Sequence, residues 1–269
     1  MEKSKKIKAL KRYFEKKPEV ILAFLFGSFA KGREMKESDV DIAIYLKEKE
    51  KRARIYRELC HILEREVDLI DLEEAPASLV SNIFKTGIPL AIKDEKLYWE
   101  LYLRMSNEAE DFLEFVEDFW KIYKTAKSLS IEARERLRIR FQFLDRELKF
   151  LEDFSKLSFQ EYSEDETKRR NIERWAECII NALIDIAKIV LASEKKSIPR
   201  SYEDALFDFG ILVGLNKEMA EELSGFAVLR NILVHEYLEV TYERIQVFIK
   251  KFPLFYEKIF TFLEDYLKK

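Results

Sequence analysis

Only two cysteines occur among the 269 residues, Cys60 and Cys178. They lie far apart, each inside an amphipathic stretch, which argues against a disulfide framework or a cysteine metal site and predicts two buried, reduced thiols. No apolar run reaches the eighteen or so residues that spanning a bilayer requires. The opening stretch MEKSKKIKALKRYFEKK holds no uninterrupted apolar region of the signal-peptide kind. A soluble, cytoplasmic protein with no membrane partner is expected. Net charge is nearly absent too: 48 Lys and Arg against 51 Asp and Glu leave −3. That balance argues against a protein built to coat nucleic acid by bulk charge and confines any such contact to a local patch. Glycine and proline are few, and the abundant charged residues suit a surface laced with ion pairs.

What is present divides into two parts. The first third alternates helical and strand patterns, with a helix over residues 3–16 followed by the apolar run Val20 to Phe26, a buried strand that ends at Gly27. A second strand spans Val40 to Leu46, where Val40, Ile42 and Ile44 alternate with Asp39, Asp41 and Ala43. A helix over about 49–65, a third strand at Val67 to Leu72, a further helix and a turn around Gly87-Ile88-Pro89 complete an α/β domain with a mixed sheet. From about residue 95 the pattern is helical throughout. Leu137, Phe141, Leu144, Leu148 and Leu151 are spaced like the seam of a bundle. Ser163 and Glu166 have the form of a capping box before a stripe of Ile172, Trp175, Ala176, Ile179, Ile180, Leu183, Ile186, Ala187 and Val190, which reads as core. The small and polar residues of Ala126 to Ser130 are the expected boundary, giving domains of 1–128 and 129–269.

The segment LFGSFAKGREMKESDVDIAIYL places a strand, a Gly-Ser turn, a polar loop and two aspartates on a second strand. Side chains at i and i+2 of a strand share a face, so Asp39 and Asp41 set two carboxylates side by side, a costly arrangement unless a divalent cation lies between them. A hard cation such as Mg²⁺ suits oxygen ligands and can complete its shell with nucleotide phosphate oxygens. Gly27 lets the backbone approach those phosphates, and the Ser28 hydroxyl can donate to one of them. A third carboxylate is expected from Asp68, with Asp71 as the alternative. Lying three apart on one strand, the two face opposite sides, and at most one joins the site.

This block resembles the nucleotidyltransferase superfamily that includes DNA polymerase β, and within it the minimal nucleotidyltransferases that transfer AMP. Gly27-Ser28 and Asp39-Val40-Asp41 stand at the family's separation, while Lys31 stands before Gly32 where members commonly have Arg. ATP as the substrate nucleotide is what the resemblance implies.

In the helical half, Leu229-Arg230-Asn231-Ile232-Leu233-Val234-His235-Glu236-Tyr237 threads polar groups through an apolar helix. A His can take a proton from a ribose 2′-OH or protonate a leaving oxygen, and an Arg can stabilise charge on phosphorus, so Arg230 and His235 form a candidate metal-independent ribonuclease pair. Five residues rotate an ideal helix by about 140°, which separates the two unless the helix ends near His235 or a dimer joins two copies. The polar face of Arg174, Glu177, Asn181, Asp185 and Lys188 reads as solvated, and His61 as a surface or boundary residue.

Residues 131–269 resemble the HEPN domain of the toxin usually encoded beside a minimal nucleotidyltransferase antitoxin, with Arg230, Asn231, His235 and Tyr237 at the positions of its Arg-X4-His-X-Tyr motif. The resemblance implies a homodimer that forms an RNase cleft on RNA, and silencing by AMP added to Tyr237. A competing expectation is an antibiotic-type nucleotidyltransferase whose helical domain shapes a small-molecule pocket; a third is a non-catalytic module that binds nucleotide and dimerises.

Overall fold

The computed structural model describes residues 2–31, 39–125, 129–235 and 241–268. The chain divides into two compact units, Met1–Glu110 and Asp111–Lys269.

The first unit runs α1 (Glu2–Glu15), β1 (Val20–Leu25), α2 (Gly27–Lys31), β2 (Val40–Leu46), α3 (Arg52–Leu63), β3 (Val67–Asp71), α4 (Ala77–Thr86), β4 (Ile88–Ile92) and the first half of α5 (Glu95–Thr125). The four strands form one mixed sheet in the order β3-β2-β1-β4. β1 is antiparallel to both β2 and β4, and β2 is parallel to β3. Every residue of β1 is buried, which explains its continuous apolar run: a central strand covered on both faces has no solvent side on which to alternate. One face packs Ala23, Leu25, Val40, Ile42 and Ile44 against Leu10 and Phe14 of α1 and Ile55 and Leu59 of α3. The other packs Leu22, Phe24 and Ala43 against Val80, Ile83 and Phe84 of α4 and Leu101 and Met105 of α5.

The turn expected at Gly87-Ile88-Pro89 is instead the start of β4, whose register sets Pro89 against Phe24 beside a bulge between Ala23 and Phe24. Proline has no N–H for a second ladder, so an edge strand next to a bulge accommodates it where a central strand would not.

The second unit holds the rest of α5, then α6 (Ile131–Glu147), α7 (Leu151–Ser155), α8 (Phe159–Glu164), α9 (Glu166–Ser193), α10 (Tyr202–Leu212), α11 (Lys217–His235) and α12 (Tyr242–Lys268). The stripe on α9 is buried as expected, and it meets Phe209 of α10, Leu223 and Phe226 of α11, and Phe248 and Phe252 of α12 in one core. Two local expectations are corrected. The capping box belongs to Ser158 and Glu161, which start α8, whereas α9 is capped by Asp165, whose carboxylate accepts from the N–H groups of Thr167 and Lys168. The seam from Leu137 to Leu151 is broken, because α6 gives way to a 3₁₀ turn at Leu148–Phe150 before α7; Leu137 and Leu144 remain buried.

Of the expected boundary, residues 126–128 lie outside the described residues. The division between the compact units falls earlier, inside α5 between Glu110 and Asp111. Burial accounts for it: Leu101 and Met105 belong to the core under the sheet, while Phe112, Phe115, Phe119 and Ile122 belong to the helical core. Cys60 and Cys178 are free thiols, each half-buried. Among the described residues, no helix is long and apolar enough to cross a membrane.

Candidate functional site

In the first unit the candidate site is built on β1, β2 and β3. Val40, Ile42 and Ile44 are fully buried on one face of β2, and pleating therefore turns Asp41 to the other. Asp39 stands exposed just before the strand, and Asp41 is half-buried. The parallel register places Asp68 of β3 directly beside Asp41. Asp71 pairs in register with Ile44; it is buried, and its carboxylate accepts the Glu73 N–H at 2.9 Å. Of the two candidate third carboxylates, Asp68 is thus the one beside Asp41.

Electrostatics report the crowding. Burial pushes the Asp41 carboxyl up, the charges of Asp68 and Asp39 push it further, and a hydrogen bond from the Ser28 backbone opposes them. Among the described residues no three His, Cys, Asp or Glu side chains converge into a ready-made metal cage, and three unscreened carboxylates have reason to stand apart.

Gly27 fixes the other wall. Its φ is +70°, and an added Cβ would overlap the Asp41 Oδ2 and lie 2.5 Å from Asp41 Cγ. The Phe26 N–H donates to the Asp41 carbonyl at 3.0 Å, locking the turn after β1 to β2. A glycine in the left-handed region beside Asp41, with Asp68 in register on β3 and Asp39 two residues back, brings only oxygen donors to this turn. That set fits a hard divalent cation and a polyphosphate. Gly32 lies outside the described residues. His61 is exposed on α3, as expected.

In the second unit, Arg230 and His235 come together through a residue that the sequence does not single out. Asp111 Oδ2 accepts from Arg230 Nη1 at 2.9 Å and lies 3.1 Å from His235 Nε2. The separation of about 140° along α11 is bridged from outside, by a carboxylate on α5. The described part of α11 reaches His235 as its last residue. Arg230 also donates from Nε to Asn181 Oδ1 at 3.0 Å, and its guanidinium carbon stands 5.1 Å from the centre of the Tyr202 ring. Tyr202 in turn donates its hydroxyl to the Asp111 carbonyl at 3.0 Å. Burial pushes the Tyr202 phenol up to about 12, so it remains a donor. The side chains of Arg230 and His235 are only 11% and 10% exposed.

Arg230, Asp111, Tyr202 and Asn181 line a cleft of about 650 Å³ together with Asp185 and Lys188 of α9 and with Asp118 and Arg136; His235 is not among its lining residues. The expected solvated face of α9 is therefore split. Arg174 and Glu177 pair with each other at 2.6 Å, with Arg174 mostly exposed. Lys188 is buried and bridges Asp118 at 3.0 Å and Asp185 at 2.9 Å. Burial alone would raise the Asp118 carboxyl, but the hydrogen bonds from Arg136 and Lys188 together overcome it and hold it at about 2. Tyr237, the third motif residue, lies outside the described residues.

Comparison with known proteins defines the class. Residues 8–96 match the family model "Polymerase beta, Nucleotidyltransferase" and residues 144–261 match "Ribonuclease HepT-like". The chain joins a polymerase-β-type nucleotidyltransferase domain to a HEPN-like domain. Among curated proteins it is similar to a tRNA nuclease HepT of Aphanizomenon flos-aquae, 26% identical over 131 residues, which are 47% of this chain and 89% of that one. It is also similar to a protein adenylyltransferase MntA of Shewanella oneidensis, 30% identical over 86 residues; that match covers 30% of this chain and 62% of the relative, less than two thirds of it. A solved structure described as a toxin-antitoxin with AMP-PNP matches at 24% identity and a TM-score of 0.35, covering 42% of this chain and 95% of that chain.

Proposed function

We propose that the first unit transfers AMP from ATP to a tyrosine of the protein itself, Tyr237, and that the second unit is a metal-independent ribonuclease which this modification silences. The observation that carries the first half is Gly27 in the left-handed region against Asp41, with Asp68 in register beside it and Asp39 exposed just before β2. Asp41, Asp39 and Asp68 would hold Mg²⁺, which when bound neutralises charge on the triphosphate. Gly27 gives the phosphates close access to the backbone, and the Ser28 hydroxyl donates to one of them. The Tyr237 oxygen attacks the α-phosphorus, the bond to the β-phosphate oxygen breaks, and pyrophosphate leaves while the phenol proton passes to solvent.

For the second unit, the convergence of Arg230 and His235 supports cleavage of RNA: His235 handles the 2′-OH proton and Arg230 pairs with the phosphate. The likeness to a tRNA nuclease suggests tRNA as the substrate class, and the likeness to a protein adenylyltransferase suggests a protein acceptor. Association of two helical units into a homodimer belongs to the same reading. AMP on Tyr237 adds a negative charge close to Arg230 in sequence and opposes binding of an RNA phosphate by charge and by bulk.

The test is to incubate purified protein with ATP and Mg²⁺, map the modified residues by mass spectrometry, and assay RNA cleavage before and after. AMP on Tyr237 with loss of an EDTA-resistant cleavage supports the reading. AMP found only on an added small molecule, or no transfer at all, refutes it.

A further inference from the structure

Asp111 touches both members of the ribonuclease pair and is itself held in place. Its side chain is 35% exposed while those of Arg230 and His235 are nearly closed off. Its backbone carbonyl is pinned by the Tyr202 hydroxyl, and the Tyr202 ring backs the Arg230 guanidinium. Asn181 holds the guanidinium from the other side. One carboxylate oxygen thus sets the positions of two side chains five residues apart on a helix.

An ionised carboxylate can only accept hydrogen bonds. At 3.1 Å from Asp111 Oδ2, His235 Nε2 must therefore carry the hydrogen, and a neutral imidazole so protonated has its lone pair on Nδ1. We infer that Asp111 is the positioning residue of the ribonuclease site: it fixes His235 as the Nε2–H tautomer and leaves Nδ1 as the atom that takes the ribose proton. The inference rests on the ribonuclease reading for its catalytic consequence, though not for the tautomer.

Nδ1 takes the 2′-OH proton, and the 2′ oxygen bonds to phosphorus. The bond from phosphorus to O5′ breaks with its electron pair going to O5′, which water protonates, and the proton on Nδ1 returns to solvent. The products are a 2′,3′-cyclic phosphate and a 5′-hydroxyl. Asp111 does not touch substrate. Besides setting the tautomer it supplies negative charge to an imidazole that becomes positive, and it keeps Arg230 aimed at the phosphate.

The chain has two histidines, His61 and His235, so long-range ¹H–¹⁵N spectra of the full-length protein with labelled histidine, prepared without ATP, are simple to assign with His61→Gln. The parent should show His235 protonated at Nε2. In Asp111→Asn the amide N–H₂ can donate to the ring, and the pattern should shift toward Nδ1–H or a mixture. RNA cleavage by Asp111→Asn should fall roughly 100-fold or more in kcat, because the tautomer is wrong, with a smaller rise in KM, because Asn181 and the Tyr202 ring still hold Arg230. Asp111→Glu should recover at least about tenfold of that loss. A parent spectrum with the hydrogen on Nδ1, or an unchanged spectrum in a folded Asp111→Asn, overturns the assignment. If the parent cleaves no RNA, the ribonuclease reading falls, while the parent spectrum alone still decides the tautomer and needs no variant to fold.

Discussion

Gly27 and Asp41 are fitted to each other so closely that no side chain can be added at position 27: a Cβ there would overlap the Asp41 carboxylate, and the backbone φ of +70° already disfavours an L side chain. Gly27→Ala should therefore lose transfer activity by displacing the carboxylate, and should lower stability by about 2 kcal/mol from backbone strain alone, before the overlap is counted. Thermal melting with and without Mg²⁺, beside the rate of AMP incorporation, checks both. A variant with parental Tm and parental transfer contradicts the geometry described for this turn.

The carboxylates themselves should behave differently. Asp39→Asn and Asp41→Asn are expected to reduce AMP transfer by at least roughly 100-fold while leaving the fold intact, since each removes a charged oxygen ligand. For Asp41 the pH dependence has a definite sign. Its carboxyl titrates higher in the folded chain than the ordinary 3.8, so the folded state holds its proton more tightly and stability declines as pH rises from about that value through the raised one. Without divalent cation, Asp41→Asn should thus be at least as stable as the parent at pH 7. Urea melts at pH 4 and pH 7 decide this; a clear loss of stability at pH 7 would count against carboxylate crowding.

Asp118 has the opposite sign. Held at about 2 against an ordinary 3.8, its carboxylate contributes stability that is fully present above pH 4 and lost as pH falls toward 2. The difference corresponds to about 2 kcal/mol. Asp118→Asn should cost about that much at pH 7 and flatten the acid limb of a stability profile, because Arg136 loses its carboxylate and the buried Lys188 keeps only Asp185. Denaturant titrations of the parent and the variant from pH 2 to pH 7 measure it, and parallel curves over that range would show the network to be energetically idle.

Tyr237→Phe should remain free of AMP at this position and keep cleaving RNA in the presence of ATP and Mg²⁺, where the parent should be silenced. Intact-mass measurement and cleavage of a tRNA substrate read the two effects separately. Silencing by ATP that is as complete in the variant as in the parent would end the tyrosine switch.

The parts of the molecule legible in the sequence are those whose cause is local. β1 and β2 announce themselves because burial on both faces makes one a continuous apolar run, while in the other the large buried Val40, Ile42 and Ile44 of one face alternate with Asp39, Asp41 and the small Ala43 of the other. The placement of Asp41 opposite the core face of β2 follows from that alternation. β4 is hidden because Pro89 reads as a turn residue, and only its edge position in the sheet makes a strand tolerable there. Asp165 is hidden behind a neighbouring Ser163-Glu166 pair of the same chemical form. Asp111 could not be found by spacing at all. It sits 119 residues from Arg230 and 124 from His235, on a helix rich in other acids, and its role comes from packing of α5 against α9 and α11. A buried cluster that unites Phe112 and Phe115 with Ile180 and Leu229 brings that about, and no pattern within α5 encodes which acid will face the pair.

The division inside α5 bears on how the two proposed activities can be taken apart. A gene fragment starting at residue 129, where sequence composition invites the cut, would encode α6 to α12 but omit Asp111 together with Phe112, Phe115, Phe119 and Ile122. Such a fragment would expose an apolar trench along the bundle and leave Arg230 without its acid, so its failure in an RNA assay would be uninformative about the ribonuclease. Burying three Phe side chains is worth several kcal/mol, about 1.5–3 each, comparable to the whole margin of a small domain. An excised helical half that begins ahead of residue 111 includes both the packing residues and the acid, and is the piece in which an RNA assay tests the proposed ribonuclease.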